Sequence, residues 1–474
     1  MSDPLLLSSI PPEHIPPGMK TVLIGVPFLP AVMEALSELK SKKVFVLANQ
    51  SSLRFLTNEG GGRGHGHSHG HEEGDDDDEE EYEQQPSESP SSFVEALRDA
   101  GMLAAPICTS VGMGGDEIGL LRACDAARDA NADVVVTIGG GAVQDAGKLV
   151  RLWLSGRGEA REREEEEEDE CNDDEGDDDG REASVSAILA LAGRDPMPPL
   201  PPQIALPNSF AMAEATSVAG ITTSSKVKSG ASHPSLIPTV VVYDPELGRG
   251  LPDWVRLGTA LRGVEHAVGA ITHPKADEDV RTRAAMGLAT ISDGLRRLVT
   301  AAYREDPGAM RSVYVGGFVA IRALNTRGCY PSIGHLVENH YSARFGVHQG
   351  GCSGMLCARI LDYHYENSVD RQMLISAALS GGGIGGGRDD GVAAATTTTA
   401  AAATPAPRLV RDLVATLPGV YSEHAQAGVT ESMLREFAHW MFENHIGRLD
   451  ALCPRSFRNA DDIYGMLTKP LSDL

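Results

Sequence analysis

Residues 133–148 read DVVVTIGGGAVQDAGK. Gly139, Gly140 and Gly141 stand between an unbroken β-branched run and a segment of helical periodicity that starts near Ala142. Without Cβ atoms, such a turn lets an anion approach the main chain. The start of the following helix then offers it free N–H groups and the positive end of a dipole. The chemistry suggested is pyrophosphate binding. The spacing is not GxGxxG, however, and a tight strand-to-helix turn with no ligand accounts for the glycines equally well. A second candidate is HGHSHGH at residues 65–71, whose imidazoles, two residues apart, could wrap a transition metal. An acidic run follows it: residues 72–83 hold ten carboxylates and no Lys or Arg. Residues 159–182 hold sixteen carboxylates against three Arg. Together the two runs carry −23 of the formal charge of −26, so the acidity belongs to two segments and not to the fold. They read as solvated loops with a weak attraction for cations or basic proteins. No basic face remains for a phosphate backbone, which excludes nucleic acid as the expected partner.

These residues need elements to position them, and 474 residues suit two domains. Strand-like runs at Thr21–Gly25, Lys43–Ala48 and Asp133–Ile138 alternate with helical periodicity at Ala31–Lys40, Phe93–Ala100, Asp116–Ala130 and Ala142–Leu154. Unbroken apolar strands covered on both faces are the mark of a parallel sheet. Extended stretches follow at Ile204–Leu206, Ser217–Thr222 and Thr239–Tyr243, and after Pro252 helical periodicity dominates. The expected fold is an α/β N-terminal domain over residues 1–248 followed by an all-α domain over 249–474. Segments near 59–92, 156–183 and 380–407 lack apolar periodicity and read as disordered loop insertions. Seven cysteines without a CxxC pair argue against a disulfide framework or a zinc ribbon. No apolar run reaches membrane-spanning length and no signal or transit pattern opens the chain, so a soluble cytoplasmic protein is expected.

The glycine segment GGGAVQDAGK resembles the GGGSxxDxAK element of the iron-containing alcohol dehydrogenase family, which includes maleylacetate reductases and glycerol dehydrogenases. Further resemblances follow in family order: PNSFAMAEATSVAGIT (Pro207–Thr222), KSGASHPSLIPTVVVYDPEL (Lys228–Leu247), ALRGVEHAVGA (Ala260–Ala270), GHLVENHYSARFGVHQG (Gly334–Gly350) and CPRSFRNADDIYGML (Cys453–Leu467). The resemblance implies a dinucleotide-binding α/β domain, a helical domain and an active site in the cleft between them. It implies that NAD(H) or NADP(H) lies against Gly139, Gly140, Gly141, Asp145, Lys148, Asn208, Ser209 and Lys228. In many relatives an Asp after the second strand selects NAD. Here Asn49, Gln50, Ser51 and Ser52 follow that strand, and the preference stays open.

Metal-dependent members use one Asp and three His, the Asp and first His one helical turn apart. His266 matches that His, but Arg262 stands at the Asp position and Pro331 at another ligand position. A guanidinium cannot ligate a metal. The resemblance therefore leaves His266 and His348 as the residual metal ligands for Fe or Zn, and points toward the maleylacetate reductases, some of which work without metal. In that reading His335 or His348 exchanges a proton, and Arg262 holds a substrate carboxylate or the carbonyl oxygen. The expected substrate is a small carbonyl or alcohol, anionic for choice, and a homodimer is the assembly kept in view. His340 matches no family position and reads as a surface residue. Two alternatives stand beside this one: a metal-dependent alcohol dehydrogenase, and a nucleotide-binding pseudoenzyme whose acidic loops recruit partners.

Overall fold

A computed structural model describes residues 15–56, 92–112, 114–156, 184–300, 306–381 and 404–474. The His-rich tract, both acidic runs and most of the Gly/Ala/Thr-rich segment lie outside the described residues. Two edges of the expected insertions belong to elements instead. The Ser92 hydroxyl caps a helix by accepting from the Glu95 N–H at 3.2 Å, and Ala406 and Pro407 are buried in the first turn of another.

The N-terminal half follows the order β1 (Thr21–Ile24), α1 (Phe28–Leu39), β2 (Val44–Ala48), α2 (Phe93–Asp99), α3 (Glu117–Asp129), β3 (Val134–Gly139), α4 (Gly141–Ser155), α5 (Val185–Leu191) and β4 (Gln203–Pro207). A hairpin, β5 (Val218–Thr222) and β6 (Lys228–Ser232), precedes β7 (Val240–Tyr243). The five-stranded sheet is parallel throughout, in the order β1-β7-β4-β3-β2. Alternate residues serve opposite faces. Val44, Val46 and Ala48 pack with α1 and α2 through Val32, Leu36, Phe93 and Leu97. Phe45, Leu47 and Val135 pack with α3, α4 and α5 through Leu120, Leu149 and Ile188. Burial on both faces is why these strands are continuous runs of Val, Ile and Leu. The second hairpin strand was not expected. Lys228–Ser232 is Ser- and Gly-rich and shows no apolar alternation, so only its antiparallel ladder to β5 makes it a strand.

Strands end at Tyr243, and helices take over: α6 (Pro245–Gly248), α7 (Asp253–Thr272), α8 (Glu278–Leu298), α9 (Pro307–Leu324), α10 (Ile333–Phe345), α11 (Gln349–Tyr363), α12 (Val369–Leu379), α13 (Ala406–Ala415), α14 (Glu431–Leu452) and α15 (Ala460–Thr468). Helix α7 is buried on all sides from Arg256 to Thr272. Ala205 of β4 and Val241 and Tyr243 of β7 join the core of α7, α8 and α9, which fixes the sheet against the helical half.

Candidate active site

A cleft of about 1030 Å³ opens where the C-terminal ends of the sheet strands meet α7 and α10. On the sheet side Asn49, Ser51, Gly140, Gly141, Asp145, Asn208, Ser209 and Lys228 line it. Gly140 has φ −74° and ψ −176°, which any residue adopts. A Cβ there would meet only Ser209 Oγ at 3.3 Å and Asn208 Oδ1 at 3.9 Å. Neither backbone nor packing demands this glycine, so its missing side chain serves the open space at the start of α4, a cradle suited to a phosphate. Asp145 is held by two donors, Lys148 Nζ at 3.1 Å and the Gly220 N–H at 3.0 Å. The Asn208 amide donates to Ser52 Oγ at 3.0 Å and so ties the loop after β4 to the loop after β2.

Two residues expected at the cofactor do not line the cleft. Gly139 ends β3 one step deeper, and its carbonyl accepts from the Asn208 N–H and from Gln144 Nε2. Lys148 is fully buried. Its ammonium donates to the Ala213 and Val218 carbonyls at 2.7 and 2.6 Å as well as to Asp145, so it ties α4 to the loop that follows β4. A buried ammonium with all its protons placed has none left for a ligand.

On the helical side, α7 brings Arg262, Glu265 and His266 onto one face, and α10 brings His335 and Glu338. The two helices approach closely at Gly334, where a Cβ would stand 2.6 Å from Glu265 Oε1. Arg262 is 3% exposed. Its Nη1 contacts Glu338 Oε2 and lies 3.6 Å from Glu265 Oε2, while Nη2 lies 3.0 Å from His335 Nδ1. Ser353 Oγ donates to Glu338 and Ser332 Oγ to Glu265. The partners found for Arg262 are therefore two carboxylates and an imidazole of the protein, where the sequence suggested a substrate carboxylate.

The same contact fixes a tautomer. Arg262 can only donate, so His335 Nδ1 accepts and Nε2 carries the proton. Glu265 Oε2 is 3.7 Å from Nδ1, too far to compete. His335 Nε2 then donates to the Tyr330 hydroxyl at 2.8 Å, which leaves the phenolic proton free to point into the cleft that Tyr330 lines. Burial lowers the pKa of His335, and the Arg262 charge lowers it further, so the neutral ring is the resting form. Burial raises the Tyr330 phenol well above its ordinary value. Burial and then the Glu265 charge raise Glu338 to about 8 despite Arg262. Burial would raise Glu265 as well, but the Arg262 charge 3.6 Å away opposes it, and Glu265 is held at about 2.

Glu265, His266 and His335 bring donor atoms within 4.8 Å of one another. His266 is 2% exposed and neither ring nitrogen has a hydrogen-bond partner among the described residues. A resident divalent ion nevertheless does not fit. The Arg262 guanidinium occupies the cation's place beside Glu265 and donates into the His335 lone pair that an ion would need. His348, expected to complete the pair with His266, lines the same cleft but belongs to a different contact. Its Nδ1 accepts from the Gly350 N–H at the start of α11, and its ring stands edge-on to Trp254. His340 is buried, not on the surface, with its ring stacked on His445 of α14 at 4.2 Å. Glu338, Tyr330 and Arg448 are site residues that sequence reasoning misses, whereas Glu265 is open to it as an ion-pair partner of Arg262. Glu265 and Glu338 stand three residues after Arg262 and His335, a helical spacing open to inspection; no sequence signal marks Tyr330 or Arg448.

A sequence profile of the iron-containing alcohol dehydrogenases matches residues 86–245. Maleylacetate reductase 1 of Rhodococcus opacus is 30% identical over 148 residues, 31% of this chain and 39% of that protein. The chain thus spans about two fifths of the length of that curated relative. The fold is shared over nearly its whole length. The maleylacetate reductase of Agrobacterium tumefaciens superposes with a TM-score of 0.63 at 18% identity, covering 95% of each chain. The NADH-dependent butanol dehydrogenase A of Thermotoga maritima gives 0.68 at 16% identity, covering 95% of this chain and 96% of that one. A glycine turn at the mouth of a parallel sheet and a helical half that closes over it are thus accompanied by a likeness to the iron-containing alcohol dehydrogenases, in sequence over residues 86–245 and in fold over nearly the whole chain.

Proposed function

We propose that this protein is an NAD(P)(H)-dependent oxidoreductase that reduces the carbonyl of an anionic oxo acid without a resident metal ion. The observation that carries the reading is the hydrogen-bonded file Arg262–His335–Tyr330, which ends in a free phenolic proton in the cleft. Gly140, Gly141, Asn208 and Ser209 would hold the dinucleotide, which supplies the hydride when bound. Asn49 and Ser51 line the cleft where the loop after β2 reaches it. No carboxylate in that loop opposes a 2′-phosphate, so either cofactor form is accommodated.

Hydride addition forms a C–H bond and leaves the electron pair of the carbonyl π bond on oxygen. Tyr330 gives its proton to that oxygen and forms the O–H bond of the product alcohol. The raised phenol is the protonated form at neutral pH and is still a stronger acid than the alcohol it creates. His335 Nε2–H then donates to the tyrosinate, with Arg262 behind it as the fixed charge, and solvent returns the proton. In this role Arg262 and His335 position and stabilise, while Tyr330 exchanges the proton. A second reading, a metal-dependent alcohol dehydrogenase, has one observation behind it: the convergence of Glu265, His266 and His335.

The test is a screen of oxo acids and alcohols that follows NADH and NADPH absorbance, with and without a chelator, on wild type and Tyr330→Phe. The expected result is chelator-resistant reduction of an oxo acid and a loss in kcat of roughly 10²–10⁴-fold in Tyr330→Phe, the span of a general acid. Activity that vanishes on chelation and returns with Fe²⁺ or Zn²⁺ favours the second reading. An unimpaired Tyr330→Phe removes the proton path.

A further inference from the structure

Three cationic side chains line the cleft: Lys228, Arg262 and Arg448. Arg262 is enclosed by Glu338 and Glu265. Lys228 donates to the Gly114 carbonyl at 3.1 Å and stands beside Asp145, on the dinucleotide side of the cleft. Arg448 makes no hydrogen bond or ion pair among the described residues. It is exposed on α14, three residues after His445 and therefore on the same face of that helix. The His445 ring stacks on His340 of α10 at 4.2 Å, so this face of α14 turns toward the cleft. Arg448 lines the same cleft as Tyr330 and His340, and its charge is felt at both. Asn339 and Ser342 of α10 line the wall beneath it.

Resting on the reading given under Proposed function, we infer that Arg448 is the receptor for the substrate's carboxylate and sets the enzyme's choice of an acid over a neutral carbonyl compound. The planar fork of its guanidinium pairs with both carboxylate oxygens. With the carboxylate held at the mouth and the phenol of Tyr330 deeper in, the substrate spans the two, its carbonyl oxygen at the hydroxyl and its carbon toward the glycine turn. Arg448 thus acts before the chemical step, by orientation, and its charge at an open mouth also draws anions to the cleft.

The experiment uses the full-length protein as wild type, Arg448→Leu, Arg448→Lys and, as a control on the same helix outside the cleft, Arg435→Leu. Steady-state KM and kcat are measured for an oxo acid and its methyl ester. Binding of succinate, a dicarboxylate that cannot be reduced, is followed by calorimetry in the presence of NADH. Arg448→Leu should weaken succinate binding and raise KM for the acid by at least about tenfold, with collapse of the acid-over-ester preference and no change in NADH affinity. Arg448→Lys should recover part of the loss, and Arg435→Leu should match wild type. If wild type prefers the acid and Arg448→Leu binds succinate and reduces the acid as wild type does, the assignment of Arg448 is overturned and the oxo-acid reading survives. If wild type binds no succinate and reduces only neutral carbonyl compounds, the oxo-acid reading fails and takes the Arg448 assignment with it.

Discussion

The buried set around Arg262 gives the sharpest test of how the two helices of the site are held. Arg262→Met keeps most of the apolar stem and removes the charge. At 3.6 Å and an effective permittivity of 20, the attraction between Arg262 and Glu265 alone is about 5 kcal/mol. Desolvation of the guanidinium offsets part of this, and removing one partner of a buried pair costs about 3–5 kcal/mol. Glu338, pushed up to about 8, already holds a proton near neutral pH and leaves no charge behind. Glu265, at about 2, does leave one. Adding Glu265→Gln removes the stranded charge, and the double variant should regain about 1–3 kcal/mol relative to the single one. Urea unfolding at constant m measures both. In kinetics, the lost donor frees the His335 tautomer, so kcat should fall by about 10²-fold or more. KM for an oxo acid should hold within about threefold, because the guanidinium faces Glu338 and not the substrate. The reasoning fails if Arg262→Met unfolds within about 1 kcal/mol of wild type. It fails equally if KM rises while kcat stands, since Arg262 would then be the carboxylate receptor.

Two further outcomes follow from the same geometry. Gly140→Ala should change unfolding free energy by less than about 1 kcal/mol, because its backbone is ordinary and its Cβ finds only Ser209 Oγ at 3.3 Å; its NADH dissociation constant, read by fluorescence titration, should rise about tenfold or more, and unchanged affinity would remove the glycine turn from the cofactor site. Burial holds His273, His340, His348 and His364 at about 4, against 6.5 for an open imidazole. The unfolded chain therefore takes up protons first on acidification. Stability that is complete above pH 6.5 should decline as pH falls toward 4, and a melting temperature flat across that window would contradict the burial of these rings.

The sequence made the sheet legible because its strands are buried on both faces: Val44–Ala48 is an unbroken apolar run and Val134–Ile138 a continuous β-branched one, which no half-exposed strand would tolerate. The glycine turn was legible for a related reason, since three glycines between such a strand and a helix leave few geometries. Helix α7 was legible as a helix, but its surroundings were not. It is enclosed on all sides, so Arg262 and Glu265, which composition places at a surface, are interior residues. Periodicity gives the facing of a helix with one wet side; it gives nothing for a helix that has none. Arg448 and Tyr330 belong to a third class. They reach the cleft through the packing of α14 on α10 and through the loop before α10, contacts across more than a hundred residues for Arg448 that no local pattern encodes.

On the proposed oxo-acid reading, the charge balance of the buried set leaves the substrate's anion to be met elsewhere. With Glu265 ionised, Glu338 protonated near neutral pH and His266 and His335 neutral, the single positive charge of Arg262 is cancelled within the set. A resident divalent cation on neutral imidazoles and one carboxylate would leave a net positive centre able to attract an anion and absorb the charge of an alkoxide. Exchanging that centre for a guanidinium between two carboxylates removes the net attraction but keeps directed N–H groups, which can orient an imidazole and, through it, a phenol. In the proposed reaction the chemistry then divides in two. Proton delivery falls to the Arg262–His335–Tyr330 file, which needs geometry more than net charge. Anion binding falls to a cation outside the set, and Arg448 is the cleft-lining cation with neither a hydrogen bond nor an ion pair among the described residues. On this account the two functions are separable by mutation: a change at Tyr330 or His335 acts on kcat, and a change at Arg448 acts on KM for the acid.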